Sequence, residues 1–169
     1  MDSVLGEIYT LEALMRWKYK DEFISPGIFI PLAEENGLIY ELGLISILES
    51  IKYLKTIDES YNISINFSPK QLIHPKLIDT LKKQIDKYKV SYEKIIIEVT
   101  ETSVIENFDL TINVLKEMKN LGFKIAFDDF GTGYSSLSYL TKLPVDILKI
   151  DKNFVQSVNK SKNNMELIK

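Results

Sequence analysis

Residues 95–129 read IIIEVTETSVIENFDLTINVLKEMKNLGFKIAFDD. Ile95 to Thr100 is a β-branched, apolar run of the kind that fits a buried strand. Leu110 to Leu121 then places apolar residues at helical spacing. Gly122 follows where a helix C-terminus favours a residue in the left-handed region. Phe123 to Phe127 alternates as a strand and runs into Asp128-Asp129. Strand, helix, strand is the unit of a parallel sheet, because a crossover must return the chain to the starting edge.

Working outward, the unit recurs. Upstream, Ile8 to Trp17 reads as a strand entered after Gly6. Pro26 and Gly27 open a helix over Phe29 to Asn36, which Gly37 closes, and Leu42 to Leu54 reads as a longer one. Ile63 to Phe67 is a strand ended by Ser68-Pro69, and Pro75 starts a helix running to about Tyr88. Downstream, Tyr134 to Leu140 predicts a short helix, and Val145 to Ile150 is the last clear strand. Met165, Leu167 and Ile168 begin a further helical pattern.

This alternation predicts an α/β fold, either an open doubly wound sheet or a barrel. No G-x-G-x-x-G or Walker-type loop follows an early strand. The polar clusters instead sit at the ends of several different strands, the habit of (β/α)8 barrels. A complete barrel needs about 250 residues. The 169 residues here therefore read as one domain, 1–169, forming a partial (β/α)8 TIM-type barrel of about five βα units.

A net charge of -3 supplies no basic field, so a nucleic acid polymer is not an expected partner. An anionic ligand must be gripped by local groups or by metal ions. Cysteine is absent, which excludes thiolate metal sites and disulfides. No run approaches the roughly 18 apolar residues that span a bilayer. The expected location is the cytoplasm, without direct membrane contact from this segment, whatever anchors a longer parent protein. Of the 21 Lys and Arg residues only Arg16 is an arginine. A guanidinium offers phosphate a flat bidentate fork that an ammonium cannot copy.

Acidic and amide side chains recur where strands end: Asn66, Glu98 with Glu101, Asp128 with Asp129, and Lys149 with Asp151. Glu12 lies on the first strand, four residues before Arg16. Neighbouring parallel strands would bring Asn66, Glu98 and Asp128 to one rim. Carboxylates converging there repel unless cations intervene. An oxygen-only donor set without Cys or a nearby His favours Mg²⁺ or Mn²⁺ over Zn²⁺. Adjacent Asp128 and Asp129 could serve two ions, an arrangement suited to phosphoryl displacement. His74 beside Pro75 reads as a loop histidine, Trp17 as rim packing, and the lysines from Lys82 to Lys89 as a solvated helix face.

The ordered motifs resemble the EAL family of cyclic di-GMP phosphodiesterases. They are Glu12-Ala13-Leu14-Met15-Arg16-Trp17, Phe29 to Glu34, Asn66-Phe67-Ser68, Glu98-Val99-Thr100-Glu101, Asp128 to Ser136, Leu143 to Asp146, and Leu148-Lys149-Ile150-Asp151. The resemblance implies metal-dependent hydrolysis of cyclic di-GMP to the linear dinucleotide pGpG, with two ions of Mg²⁺ or Mn²⁺. It implies that Glu12, Asn66, Glu98 and Asp128 hold the first ion, and Asp128 and Asp129 the second. Lys149 matches a catalytic lysine near the attacking water. Glu101 matches the glutamate that fixes the Asp128 to Ser136 loop, the region through which the family dimerises. Arg16, Leu14 and Asp151 match substrate-binding positions.

The family's opening Gln-Pro strand has no match in residues 1–169. Neither have its last two βα units, which carry a further metal-binding Glu and a late Gln. The chain is accordingly read as a fragment, weakly active or inactive in isolation. The alternative function is a non-catalytic EAL-like cyclic di-GMP sensor or interaction module.

Overall fold

The computed structural model describes residues 8–131 and 142–158. A parallel sheet runs β1 (Thr10–Ala13), β4 (Asn62–Asn66), β5 (Ile95–Thr100), β6 (Lys124–Phe130) and β7 (Ile147–Ile150), in that spatial order. The first three crossovers carry helix: α1 (Pro26–Glu35) and α2 (Ile39–Leu54), then α3 (Pro69–Leu72) and α4 (Leu77–Tyr88), then α5 (Glu101–Ile105) and α6 (Phe108–Leu121). A final helix, α7 (Lys152–Val158), follows β7. The result is a five-stranded half-barrel.

Local chemistry sets several boundaries. Ser25 caps α1, its hydroxyl accepting from the Gly27 N–H at 3.3 Å, with Pro26 in the first turn where its missing N–H costs nothing. Gly122 ends α6 at φ 106°, a conformation that would strain any side chain. The helix expected at Tyr134 to Leu140 and the apolar pattern from Met165 lie outside the described residues.

One expectation is corrected. Ile8 to Trp17 is not a single strand: β1 stops at Ala13, and the chain then forms a separate antiparallel hairpin, β2 (Trp17–Tyr19) with β3 (Glu22–Ile24). Its turn is Lys20-Asp21, with Lys20 at φ 55°. No Gly or Asn marks that turn, so the usual sequence sign of a hairpin is missing. Trp17 packs edge-on against Phe29 of α1, ring centroids 5.9 Å apart, which ties the hairpin to the body.

Period-two alternation divides the sheet into two surfaces. Ile63, Ile65 and Phe67, then Ile95, Ile97 and Val99, then Ile125 and Phe127, join one buried cluster with Ile47 and Ile51 of α2, Leu77, Leu81 and Ile85 of α4, and Leu115 and Met118 of α6. Burying each such side chain contributes about 1.5–3 kcal/mol. The intervening residues belong to the opposite surface. Register pairs Glu12 with Ser64, Ser64 with Ile96, Asn66 with Glu98, and Glu98 with Ala126.

β6 runs further than the alternation predicts, through Asp128-Asp129 to Phe130. Phe127 pairs with Leu148 and Phe130 with Ile150, so β6 carries one extra residue at this point. Asp129 takes φ 57°. Strict alternation would send Phe127 and Phe130 to opposite faces. With the bulge, both reach the same core cluster.

Candidate active site

The predicted rim residues stand on adjacent strands, and hydrogen bonds and an ion pair join them. Asn66 donates its side-chain N–H to Glu12 Oε1 at 2.8 Å, linking β4 to β1. Lys149 on β7 donates to Glu98 Oε2 of β5 at 2.8 Å and to Asp128 Oδ2 of β6 at 2.7 Å. The same ammonium lies 3.9 Å from Glu12 Oε2. Glu12, Asn66, Glu98, Asp128 and Lys149 thus form one connected polar group. Glu98 is only 4% exposed, so its charge depends on partners rather than on water.

These contacts shape the charges. Burial pulls the Lys149 ammonium toward neutrality, but its hydrogen bonds to Asp128 and Glu98, with their charges, outweigh it and raise its pKa to about 12. The Asp129 carboxyl is raised above its ordinary value, first by burial and then by the charges of Asp128 and Asp151. Asp128 turns Oδ1 onto the Asp129 N–H at 2.8 Å, bracing the bulge.

Other predicted residues lie around this group. Arg16 and Leu14 are exposed and line a cleft of about 340 Å³ that also touches Asn66 and Glu98. Among the described residues Arg16 makes one hydrogen bond, from Nη1 to the Met15 carbonyl at 2.9 Å. Glu101 is buried at the start of α5, directly after β5. Asp151 accepts from the Asn153 N–H at 2.7 Å, which makes it the cap of α7. Of the Asp128 to Ser136 loop expected to couple Glu101 to dimerisation, the part from Thr132 to Ser136 lies outside the described residues.

The cleft also recruits residues that motif reading did not assign to the site. Glu34 of α1 and Gln71 of α3 line it beside Arg16. Gln71 is buried, and its Nε2 has no hydrogen-bond partner among the described residues. It lies where any side chain on Gly43 would collide with it, at 2.1 Å. No local pattern marks Gln71, which follows Lys70 in the four-residue α3 and depends on Gly43 for its place.

The donor set is oxygen-only and converges at the C-terminal ends of parallel strands, which suits a hard divalent cation. Among the described residues, however, no three acidic or imidazole groups close on a common centre. Lys149 stands between the carboxylates instead.

Comparison with known proteins bears on this geometry. A family model described as "EAL domain" matches residues 1–169. The chain is 37% identical over 168 residues to "Cyclic di-GMP phosphodiesterase PdeR" of Escherichia coli (strain K12), covering 97% of this chain and 25% of that one. It is 35% identical over 158 residues to "Bifunctional diguanylate cyclase/cyclic di-GMP phosphodiesterase MucR" of Pseudomonas aeruginosa, covering 90% and 23%. The solved structure described as "PaMucR Phosphodiesterase, c-di-GMP complex" superposes with a TM-score of 0.84 at 33% identity, covering 96% of this chain and 68% of that one. The chain thus spans about a quarter of the length of these curated relatives.

Proposed function

The chain belongs to the EAL domain family, and on that premise we propose that it supplies the site of a phosphodiesterase that opens cyclic di-GMP to linear pGpG. One observation carries the reading: Glu12, Asn66, Glu98, Asp128 and Lys149, far apart in sequence, meet in one group at the strand ends, joined by hydrogen bonds and by the Lys149–Glu12 ion pair. The relatives' names and the cyclic di-GMP complex of the similar structure support the substrate.

Glu12, Asn66, Glu98 and Asp128 would hold one divalent ion, and Asp128 with Asp129 a second, of Mg²⁺ or Mn²⁺. When bound, such ions polarise a phosphate ester and lower the pKa of water. The chain's own residues do the rest. Arg16, on the exposed lip of the cleft, offers its fork to a substrate phosphate. Leu14 gives the nucleotide an apolar contact. Lys149 brings a permanent positive charge to where phosphate charge grows. Glu101, fixed at the end of β5, braces the Asp128 to Ser136 loop, through which the protein forms a homodimer. Asp151 orients α7 and only indirectly the substrate. We read all of residues 1–169 as part of a single EAL domain working in the cytoplasm.

The test is conversion of cyclic di-GMP to pGpG by this protein in Mg²⁺ or Mn²⁺. Loss of turnover in Glu98→Ala and in Asp128→Ala supports the reading, and full turnover in both ends it. Tight binding without turnover in the wild type would favour a ligand sensor on the same site.

A further inference from the structure

The rim already contains a cation, and it is a lysine. Lys149 Nζ sits 2.8 Å from Glu98 and 2.7 Å from Asp128, with Glu12 at 3.9 Å. Among the described residues, these are the only ion pairs that Glu12, Glu98 and Asp128 make. Those carboxylates are the ones assigned above to the first divalent ion. Glu98 is almost closed off from water, and the charged group in contact with it is the Lys149 ammonium. An ammonium and a divalent ion would contest the same oxygen lone pairs and would repel each other across the gap. The structure therefore shows one positive charge from the chain itself set among three acids.

We propose that Lys149 is the resident counter-ion of the metal-free rim, and that a divalent cation binds by displacing its ammonium from Glu98 and Asp128. This rests on the cation reading of the rim given above. Two features make the displacement feasible. Lys149 lies on β7, whose only partner among the described residues is β6. Its neighbours Ile147, Leu148 and Ile150 are all exposed, so little packing holds that strand's side chains in place. The carboxylates come from β5 and β6 in the middle of the sheet and are the fixed part.

The consequence is a linked pair of events. Without metal, the lysine is locked onto carboxylates and cannot serve a phosphate. Loading the site frees it, so ligation and release of the phosphate-binding lysine are one equilibrium. Metal affinity is also held down, because each ion must first break charge-assisted hydrogen bonds.

The test uses the full chain, with Mn²⁺ binding measured by calorimetry. Lys149→Met, neutral and of similar length, should bind Mn²⁺ at least tenfold more tightly than wild type. Lys149→Arg, which keeps the charge, should bind no more tightly than wild type. In EDTA, Lys149→Met should melt below wild type, and Mn²⁺ should raise its Tm by more than it raises the wild-type value. Should the Met variant fail to fold, the wild type answers alone: Mn²⁺ should speed acetylation of Lys149 by acetic anhydride, read by mass spectrometry. Equal or weaker Mn²⁺ binding by a folded Lys149→Met overturns displacement while the cation site stands. Slower or unchanged acetylation does the same. Absence of Mn²⁺ binding in wild type and in Lys149→Met overturns both the displacement and the cation reading.

Discussion

Ile97 and Glu98 are consecutive, both buried, and belong to different worlds. Ile97 is fully enclosed among isoleucines of β4 and β6 and the helices outside them. Glu98 faces the other way and is held by Lys149 from β7. The same pairing recurs at Phe127 and Asp128 one strand over. The helix-packed surface is held by non-directional burial and tolerates any apolar side chain of the right volume. The rim surface is held by few directional contacts, each with a single chemical solution. One-residue alternation is enough to keep stability and chemistry apart, so each can be perturbed with limited effect on the other.

Four substitutions probe that separation, from the largest expected effect to the smallest. Asp128→Ala should lower turnover of cyclic di-GMP by roughly 10²–10³-fold while the urea midpoint moves far less. Steady-state kinetics and denaturation on one preparation check this, and a collapse of both together would break the division. Ile97→Ala should do the reverse. It leaves a cavity and should cost about 3–4 kcal/mol of unfolding free energy, measured by urea titration, with the Mn²⁺ affinity of the surviving folded protein unchanged.

Asp146→Asn tests the seam between β6 and β7. Asp146 accepts from Lys119 Nζ at 2.6 Å and from the Ile125 N–H at 2.9 Å. Burial raises its carboxyl, but these bonds outweigh it and hold the carboxyl below its ordinary value of 3.8. Because the folded value is depressed, its stabilisation is present above pH 3.8 and is lost as pH falls through the folded value. The Asn variant should be about 1 kcal/mol less stable at neutral pH. Its stability should converge with that of wild type below pH 3.8, as seen in urea midpoints across a pH series. Lys20→Gly should change least, stabilising by up to about 1 kcal/mol by relieving the left-handed turn. A differential melting scan is sufficient to see it.

Most of this architecture could be read from the chain. The runs at Ile63, Ile95 and Phe123 are β-branched or aromatic, and Gly122 ends its helix as expected, so periodicity and punctuation agreed. The rim was legible because carboxylates follow those runs directly. What escaped reading depended on contacts between distant residues. The β2–β3 hairpin has a turn without Gly or Asn, and packing on Phe29 holds it. The cleft role of Gln71 needs Gly43 opposite, far earlier in the chain, with no local sign. The salt link from Lys149 to Glu98 and Asp128 depends on sheet order, which strand patterns alone do not set.

The added residue in β6 has a consequence for how this chain can change over time. It acts as a half-step in a two-beat rhythm, resetting which side comes next. Deleting one aspartate would leave Phe127 and Phe130 two positions apart, a spacing that plain alternation also sends to one face. The interior would keep both rings while the rim lost an oxygen donor, so the second aspartate is kept by chemistry and not by packing.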